Sequence, residues 1–247
     1  MNNKKVISYI VTWIKDYVDN RSSGINSLVV GVSGGIDSAL TSTLCAMTGL
    51  NTILVKIPIN SKDISLSRLH CEALKSKHQN INVFEVNLTD IFDSYKSKCL
   101  TYDLNNDLGF ANSKSRMRMM LLYQFASQFS GIVVGTGNKV EDFGVGFYTK
   151  YGDGGVDISP IADLSKSQVK VLAQELKIIE PILSAAPTDG LWEDDRTDEE
   201  QLGLSYEEIE EAMENHMSVN RQRYENIRKN NLHKMEPIPV CFIKDKD

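Results

Sequence analysis

Apolar residues recur along this chain at two spacings, and the alternation of the two predicts its secondary structure. Three short apolar runs, 28–32, 52–57 and 132–135, are typical of buried strands, and the alternating segment 81–86 predicts a further strand. Helical spacing predicts helices over 7–18, 37–47, 63–77 and 115–129. Three more helices are predicted: one is capped by Ser165, one begins at the capping box of Ser205 and Glu208, and the last reaches about Lys229. The helix over 115–129 is apolar on nearly all sides, which indicates burial in the core or at a subunit interface.

Strands that alternate with helices predict an α/β fold, an open parallel β-sheet with helices on both faces and Rossmann-like connections. We expect a single domain over residues 1–247. Ligands of such sheets bind at the carboxyl ends of the strands, which here follow Val32, Ile57 and Gly135. The segment 136–160, rich in glycine and aromatic residues, is expected to be a long functional loop. The acidic stretch 193–200 is expected to be a solvated loop.

The charge balance narrows the range of partners. The formal net charge is -6, which argues against sequence-independent binding of DNA or RNA. No apolar run is long enough to span a bilayer. The four cysteines, at positions 45, 71, 99 and 241, form no C-x-x-C pair, a distribution typical of a reduced, cytoplasmic protein.

The hexapeptide Ser33-Gly34-Gly35-Ile36-Asp37-Ser38 is a candidate anion-binding motif. It follows the first predicted strand and begins a helix. Its glycines let the backbone approach an anion, and the helix that follows presents free N–H groups and a positive dipole end. Asp37 lies inside this cradle, and a carboxylate beside phosphate oxygens predicts a bridging Mg²⁺. The motif lacks the lysine of a Walker loop. An ordinary glycine-rich turn is the simpler interpretation, but the position between strand and helix favours a phosphate site.

This hexapeptide resembles the pyrophosphate loop of the PP-loop ATP pyrophosphatases, whose fold is also described as adenine nucleotide α-hydrolase-like. Further segments are similar to one branch of that class, the ammonia-dependent NAD synthetase family: 112–119, 135–141, 147–157, 160–166 and the pair His233-Lys234. The resemblance runs from about Gly31 to Phe242. Two places depart from the pattern of many members: Met235 stands where an arginine is common, and Asp189-Gly190 where Ala-Asp is common.

The resemblance implies a role for each matching residue. ATP is expected to bind Gly31, Val32, Ser33, Gly34, Gly35, Ile36, Asp37, Ser38, Thr136, Lys166 and Thr188. Mg²⁺ is expected at Asp37 and Glu141, and Asp37 and Lys166 are the expected catalytic residues. Deamido-NAD is expected to bind Arg116, Lys150, Asp157, His233 and Lys234, where cations suit its pyrophosphate and carboxylate.

Local sequence leaves other interpretations open for several of these residues. Glu141 is also consistent with a solvated loop acid, Thr188 with a turn residue after Pro187, and His233 with a surface histidine. Lys166 is different, because a cation at the start of a helix is disfavoured by the dipole unless an anion lies opposite.

The implied reaction joins ammonia to deamido-NAD at the expense of ATP, giving NAD, AMP and pyrophosphate, and the implied assembly is a homodimer. Two alternative functions compete with this interpretation. A PP-loop enzyme acting on tRNA should show a basic face or paired catalytic cysteines, and this acidic sequence shows neither. A non-catalytic ATP-sensing module would not need Asp37 and Glu141 together.

Overall fold

The computed structural model describes residues 2–21, 24–61, 63–188, 190–192, 194 and 196–243. In this part of the chain a parallel sheet has the order β3-β2-β1-β4. Its strands are β1 Ser27–Gly31, β2 Asn51–Lys56, β3 Ile81–Glu85 and β4 Gly131–Val133. Ser27 pairs with both Asn51 and Gly131, so the central strand is in register with both neighbours. The predicted parallel sheet is confirmed.

Helices surround this sheet and extend beyond it. Their bounds are α1 Asn3–Arg21, α2 Ile36–Met47, α3 Ser65–Lys77, α4 Thr89–Leu100, α5 Asp107–Gln128, α6 Lys166–Glu175, α7 Glu180–Leu183, α8 Asp198–Leu202, α9 Tyr206–Glu214 and α10 Arg221–Met235. A π-helix covers Lys139–Val145. Among the described residues, no helix is long and apolar enough to cross a membrane.

Side chains of β1 alternate between two hydrophobic clusters, one on each face of the sheet. Leu28 and Val30 belong to the cluster that also takes residues of α1, α2 and α6. Val29 belongs to the second cluster, with Phe92 of α4 and Leu122 of α5. Burial on both faces explains why the strands are continuous apolar runs, and it confirms the prediction of helices on both sides.

A third cluster lies apart from the sheet and holds the π-helix. It joins Val140 and Val145 of the π-helix to Ile209 of α9 and Tyr224 of α10. Hydrogen bonds strengthen this contact, because Asn231 Nδ2 donates to the carbonyl of Val145 at 3.0 Å. We call this group of elements, residues 139–147 and 202–235, the π-helix lobe.

Several sequence expectations about the connections were wrong. The segment 136–160 is not a plain loop, since Asn138 caps the π-helix within it. The stretch 193–200 is not wholly solvated, because Asp198 begins α8 and is 6% exposed; Glu193 and Asp195 lie outside the described residues. Local composition, glycine-rich in 136–160 and acidic in 193–200, predicted loops, but tertiary packing decided the outcome.

Helix ends and helix burial also differ from expectation. α4 was not predicted, and α5 begins at Asp107 rather than near Ser115. α5 is not buried all round in the core, because Met120 is 64% exposed and Tyr123 38% exposed; burial of α5 at a subunit interface stays a prediction. α10 continues to Met235, which places His233 and Lys234 in its last turn rather than in a tail.

Candidate functional site

The turn after β1 is shaped by its own serines and by one glycine. Ser33 Oγ accepts from the N–H of Gly35 at 3.2 Å and lies 3.1 Å from Ser38 Oγ. Gly34 has φ +96°, and a Cβ there would lie 3.0 Å from the backbone nitrogen of Ser67, so a larger residue would be strained and crowded. The first N–H groups of α2 have no partner within the helix, which makes this turn an anion cradle.

This cradle forms part of a cavity of about 1010 Å³ at the carboxyl ends of β1, β2 and β4. The cavity is lined by nearly all of the residues singled out from the sequence: Gly31, Val32, Ser33, Gly34, Gly35, Ile36, Asp37, Ser38, Arg116, Thr136, Glu141, Lys150, Lys166, Thr188, His233 and Lys234. Asp157, which the structure also describes, is the exception. Its carboxylate accepts from the N–H of Val133 at 2.7 Å and from the hydroxyl of Tyr123 at 3.1 Å.

Lys166 joins the two carboxylates expected to bind metal. Its Nζ lies 2.6 Å from Asp37 Oδ2 and 2.8 Å from Glu141 Oε1. The three side chains are only 13–16% exposed. The anion that the sequence argument required opposite Lys166 is therefore this pair of carboxylates, and contact of Lys166 with ATP stays a prediction.

Burial and charge act against each other in this cluster. Burial raises the pKa of Asp37 above its ordinary value, although the Lys166 ammonium opposes the shift. Burial also acts to raise the pKa of Glu141, but the Lys166 ammonium and the Tyr206 hydroxyl outweigh it and lower that pKa. For Lys166 the desolvation that would lower the pKa is outweighed by the two carboxylates, which raise it. Lys166 is therefore charged at neutral pH.

Two residues that sequence reasoning missed hold these carboxylates in place. Asn138 Nδ2 donates to Asp37 Oδ1 at 3.1 Å, while Asn138 Oδ1 accepts from the backbone of Val140 and Glu141. Tyr206 donates its hydroxyl to Glu141 Oε1 at 2.5 Å. Asparagine after a strand is a recognisable helix cap, but nothing local marks Tyr206, which lies on a distant helix.

The donor set fits a magnesium ion. Asp37 and Glu141 lie so close together that a single ammonium nitrogen, Lys166 Nζ, contacts both carboxylates. Mg²⁺ is usually held by one or two carboxylates together with phosphate oxygens and water. Asp37 and Glu141 are the residues that would hold it, next to the anion cradle.

A second group of cavity-lining residues belongs to α5, to α10 and to the segment that follows the π-helix. Lys150 Nζ donates to the carbonyl of His233 at 2.9 Å, and Lys234 Nζ donates to the carbonyl of Tyr148 at 2.8 Å. Arg116 Nε donates to the carbonyl of Lys150 at 3.2 Å. Hydrogen bonds to main-chain carbonyls thus hold three cationic side chains in the lining of one cavity. This arrangement suits a substrate that carries phosphate and carboxylate groups.

Asp142 is a further carboxyl group of the cavity that the sequence did not indicate. Burial, together with the neighbouring carboxylates of Glu141, Asp153 and Asp37, raises its pKa to about 8. Asp142 belongs to the π-helix, and it lines the cavity together with its neighbour Glu141. No periodicity in the sequence foretells a π-helix.

Comparison with known proteins identifies the family. The NAD synthase family profile matches residues 6–242. The chain belongs to this family. An NH(3)-dependent NAD(+) synthetase of Sulfolobus acidocaldarius is 34% identical over 248 residues, covering 99% of this chain and 83% of that protein.

Solved structures agree with this membership of the NAD synthase family. An NMN synthetase from Francisella tularensis has a TM-score of 0.89 at 29% identity, covering 98% of this chain and 100% of that chain. An NH3-dependent NAD synthetase from Campylobacter jejuni, in complex with the nitrate ion, has a TM-score of 0.78 at 24% identity with the same coverage, which supports the fold.

The described residues of the two departures from the pattern of many NAD synthase family members, Gly190 and Met235, lie in different places. Gly190 lines the cavity beside Thr188, and Asp189 lies outside the described residues. The sulfur of Met235 lies 3.7 Å from Arg228 Nη1, and Arg228 in turn donates to the carbonyl of Gly144 at 2.7 Å. Met235 therefore contacts the π-helix lobe rather than the phosphate cradle.

Proposed function

We propose that this protein is an ammonia-dependent NAD synthetase, which converts deamido-NAD, ATP and ammonia to NAD, AMP and pyrophosphate. The observation that carries the proposal is the shared cavity. The anion cradle of residues 33–38 and the cations Arg116, Lys150 and Lys234 line the same cavity. A nucleotide triphosphate and an anionic second substrate can therefore meet in one cavity, as adenylation requires.

In the first step a nicotinate carboxylate oxygen attacks the α-phosphorus of ATP, and the bond to the pyrophosphate leaving group breaks. The cradle and the first turn of α2 would bind the β and γ phosphates, where N–H groups and the helix dipole stabilise negative charge. Mg²⁺ at Asp37 and Glu141 would supply charge neutralisation as pyrophosphate leaves. Alignment of the two substrates is the protein's main contribution.

In the second step ammonia attacks the carbonyl carbon of the NAD-adenylate. The new C–N bond forms, the C–O bond to AMP breaks, and the nitrogen loses a proton. Adenylation is needed because a free carboxylate has a poor leaving group. Lys166 and the cradle would stabilise the phosphate charge that develops as AMP departs.

The test is an assay with purified protein, ATP and deamido-NAD, supplied with either ammonium or glutamine. We expect NAD and equimolar pyrophosphate with ammonium, and no NAD from glutamine freed of ammonia. Neutral ammonia is the nucleophile, so the apparent KM for total ammonium should fall as the pH rises. NAD formation from glutamine alone would contradict the proposed nitrogen source.

A second candidate is amidation of the corresponding mononucleotide, which gives NMN. It is favoured by the similarity to the Francisella tularensis NMN synthetase, a chain that this one matches over its whole length. The structure offers a way to separate the two. A more open depression of about 510 Å³, lined by Met120, Tyr123 and Tyr151, shares Arg116 with the main cavity and is available to the second nucleotide of a dinucleotide.

The experiment compares kcat/KM for deamido-NAD and for its mononucleotide, in the wild type and in Tyr151→Ala. If the dinucleotide is the substrate, wild type prefers it and the variant loses that preference. If the mononucleotide is the substrate, wild type prefers the mononucleotide and Tyr151→Ala changes neither value. Tyr9→Ala, at an exposed tyrosine of α1, is the matched control.

We infer that the protein is a homodimer. Support comes from the exposed apolar side chains of α5 and the segment before it, where Leu104, Leu108 and Met120 are each more than half exposed. Such a patch is typical of a subunit interface. Light scattering of the wild type and of Met120→Glu tests this. We expect the wild type to be a dimer and Met120→Glu to form a weaker dimer. A monomeric wild type would contradict the inference.

We place the reaction in the cytoplasm. The cysteines are free thiols, and Cys45 and Cys71 are buried, as expected in a reducing compartment. Fractionation of the cells that make this protein, followed by immunoblotting, checks the location; recovery in a membrane or extracellular fraction would contradict it.

A further inference from the structure

Tyr206 connects the π-helix lobe to the centre of the site. It is the first residue of α9, it is only 5% exposed, and its ring belongs to the cluster that includes Val140 of the π-helix. Its hydroxyl lies 2.5 Å from Glu141 Oε1 and 3.1 Å from Asp198 Oδ2. A phenol has one proton to donate, and the shorter distance assigns that proton to Glu141.

The face of the same ring contacts Lys166. Lys166 Nζ lies 4.7 Å from the ring centroid, within the range at which a cation is attracted to an aromatic face. Tyr206 therefore contacts both partners of one ion pair, Glu141 through its hydroxyl and Lys166 through its ring. The contact joins α9 to residues that precede it by 65 and 40 positions in the sequence.

The hydrogen bonds determine how Glu141 faces the cavity. Oε1 accepts from Tyr206 at 2.5 Å and from Lys166 Nζ at 2.8 Å. With two donors on Oε1, the plane of the carboxylate is set and the direction of Oε2 follows from it. A ligand carboxylate fixed in this way needs no reorientation when it binds a metal, and partners of this kind are expected to raise metal affinity.

We propose that Tyr206 is a positioning residue that orients the Glu141 carboxylate for a divalent cation shared with Asp37. This rests on the proposed magnesium role of those two carboxylates. Removing the hydroxyl leaves Lys166 as the donor nearest to Oε1 and lets the carboxylate rotate. The loss should therefore appear first in metal affinity and only later in turnover at saturating metal.

The experiment measures Mn²⁺ binding by the electron paramagnetic resonance signal of the free ion, with a non-hydrolysable ATP analogue present. Tyr206→Phe keeps the ring and removes the hydroxyl; Tyr224→Phe makes the same change at a tyrosine of the same cluster that is 6% exposed. We expect the Kd for Mn²⁺ to rise about 10- to 100-fold in Tyr206→Phe and less than about twofold in Tyr224→Phe. The Mg²⁺ concentration for half-maximal pyrophosphate release should shift in parallel, with kcat recovered at high Mg²⁺.

Asp37→Asn and Glu141→Gln separate this proposal from the function it rests on. If they weaken Mn²⁺ binding and Tyr206→Phe does not, the positioning role is overturned while the metal site stands. If none of the three changes Mn²⁺ affinity, the metal site and the positioning role are both overturned.

A crystal structure of the wild type with Mn²⁺ supplies a measurement that does not depend on any variant folding. We expect the anomalous peak of the metal beside Glu141 Oε2, with the Tyr206 hydroxyl still bonded to Oε1. A metal bound to Oε1 with the Tyr206 contact broken would overturn the proposal.

Discussion

Lys166, the first residue of α6, lies 2.6 Å from Asp37, the second residue of α2, although 129 positions separate them in the sequence. The same Nζ contacts Glu141 at 2.8 Å. Two carboxylates and one ammonium together carry one net negative charge. Because the ammonium already balances part of this negative charge, Lys166 and a divalent cation compete for the two carboxylates.

Replacement of Lys166 by methionine is therefore expected to have opposite effects on binding and on chemistry. Without the ammonium, the two buried carboxylates should bind Mn²⁺ in the absence of ATP about tenfold more tightly or better. Pyrophosphate release should nevertheless be lost, because the phosphates lose a cationic donor. Lys170→Met, at an exposed lysine of the same helix, is the control, and weaker Mn²⁺ binding in Lys166→Met would contradict the competition.

Asp37→Asn should abolish adenylation and leave the fold intact. The amide keeps the shape and the contact with Asn138 but removes the charge that would hold Mg²⁺. We expect pyrophosphate release to fall by at least about 10³-fold, the scale of other lost charge-stabilising groups. Asp163→Asn, at an acid whose side chain is 98% exposed, serves as the control. Circular dichroism verifies folding, and release at the wild-type rate would refute the metal role of Asp37.

Asp142 predicts a pH dependence of stability. Its pKa is raised to about 8, so between pH 4 and pH 8 the folded protein holds a proton that the unfolded chain has lost. The free energy of unfolding therefore falls as the pH rises through this range. Asp142→Asn cannot ionise and should be more stable than wild type by about 5 kcal/mol at pH 8, since each pH unit between about 4 and 8 costs the wild type about 1.4 kcal/mol.

Thermal unfolding in a metal-chelating buffer from pH 4.5 to pH 9 measures this difference. The gap between Asp142→Asn and wild type should widen up to about pH 8 and then stay constant. A gap that is the same at every pH would show that Asp142 does not titrate as described.

Arg116 and Arg118 are two positions apart on α5 and contact different parts of the cavity lining. Arg116 Nε donates to the carbonyl of Lys150, and Arg118 Nε donates to the carbonyl of Ile57 at the end of β2. We expect Arg116→Met to raise KM for deamido-NAD about tenfold or more and to leave KM for ATP unchanged. Arg118→Met should do the reverse.

Steady-state kinetics with each substrate varied in turn give both KM values for both variants. Each arginine variant is the control for the other. A rise in both KM values for both variants would show that Arg116 and Arg118 do not act on separate substrates.

Much of the fold was determined by local sequence patterns. Short apolar runs predicted β1, β2 and β4, since strands buried on both faces have no polar side, and alternation predicted β3, whose Asn82 and Glu85 are exposed. The Ser165 and Ser205 capping signals marked the starts of α6 and α9 correctly, because a cap is a contact within one turn of chain. The cradle at residues 33–38 was likewise visible, because strand, turn and helix are consecutive there.

The tertiary structure decided which distant side chains meet. The sequence resemblance implies roles for Asp37, Glu141 and Lys166, but their joint contact arises only when α2, the π-helix and α6 pack together. Tyr206 carries no local signal, and it reaches Glu141 because the third hydrophobic cluster draws α9 against the π-helix. Sequence fixes the chemistry of each side chain and its immediate turn, whereas a site built across three elements depends on packing, whose energy is shared by residues far apart in the chain.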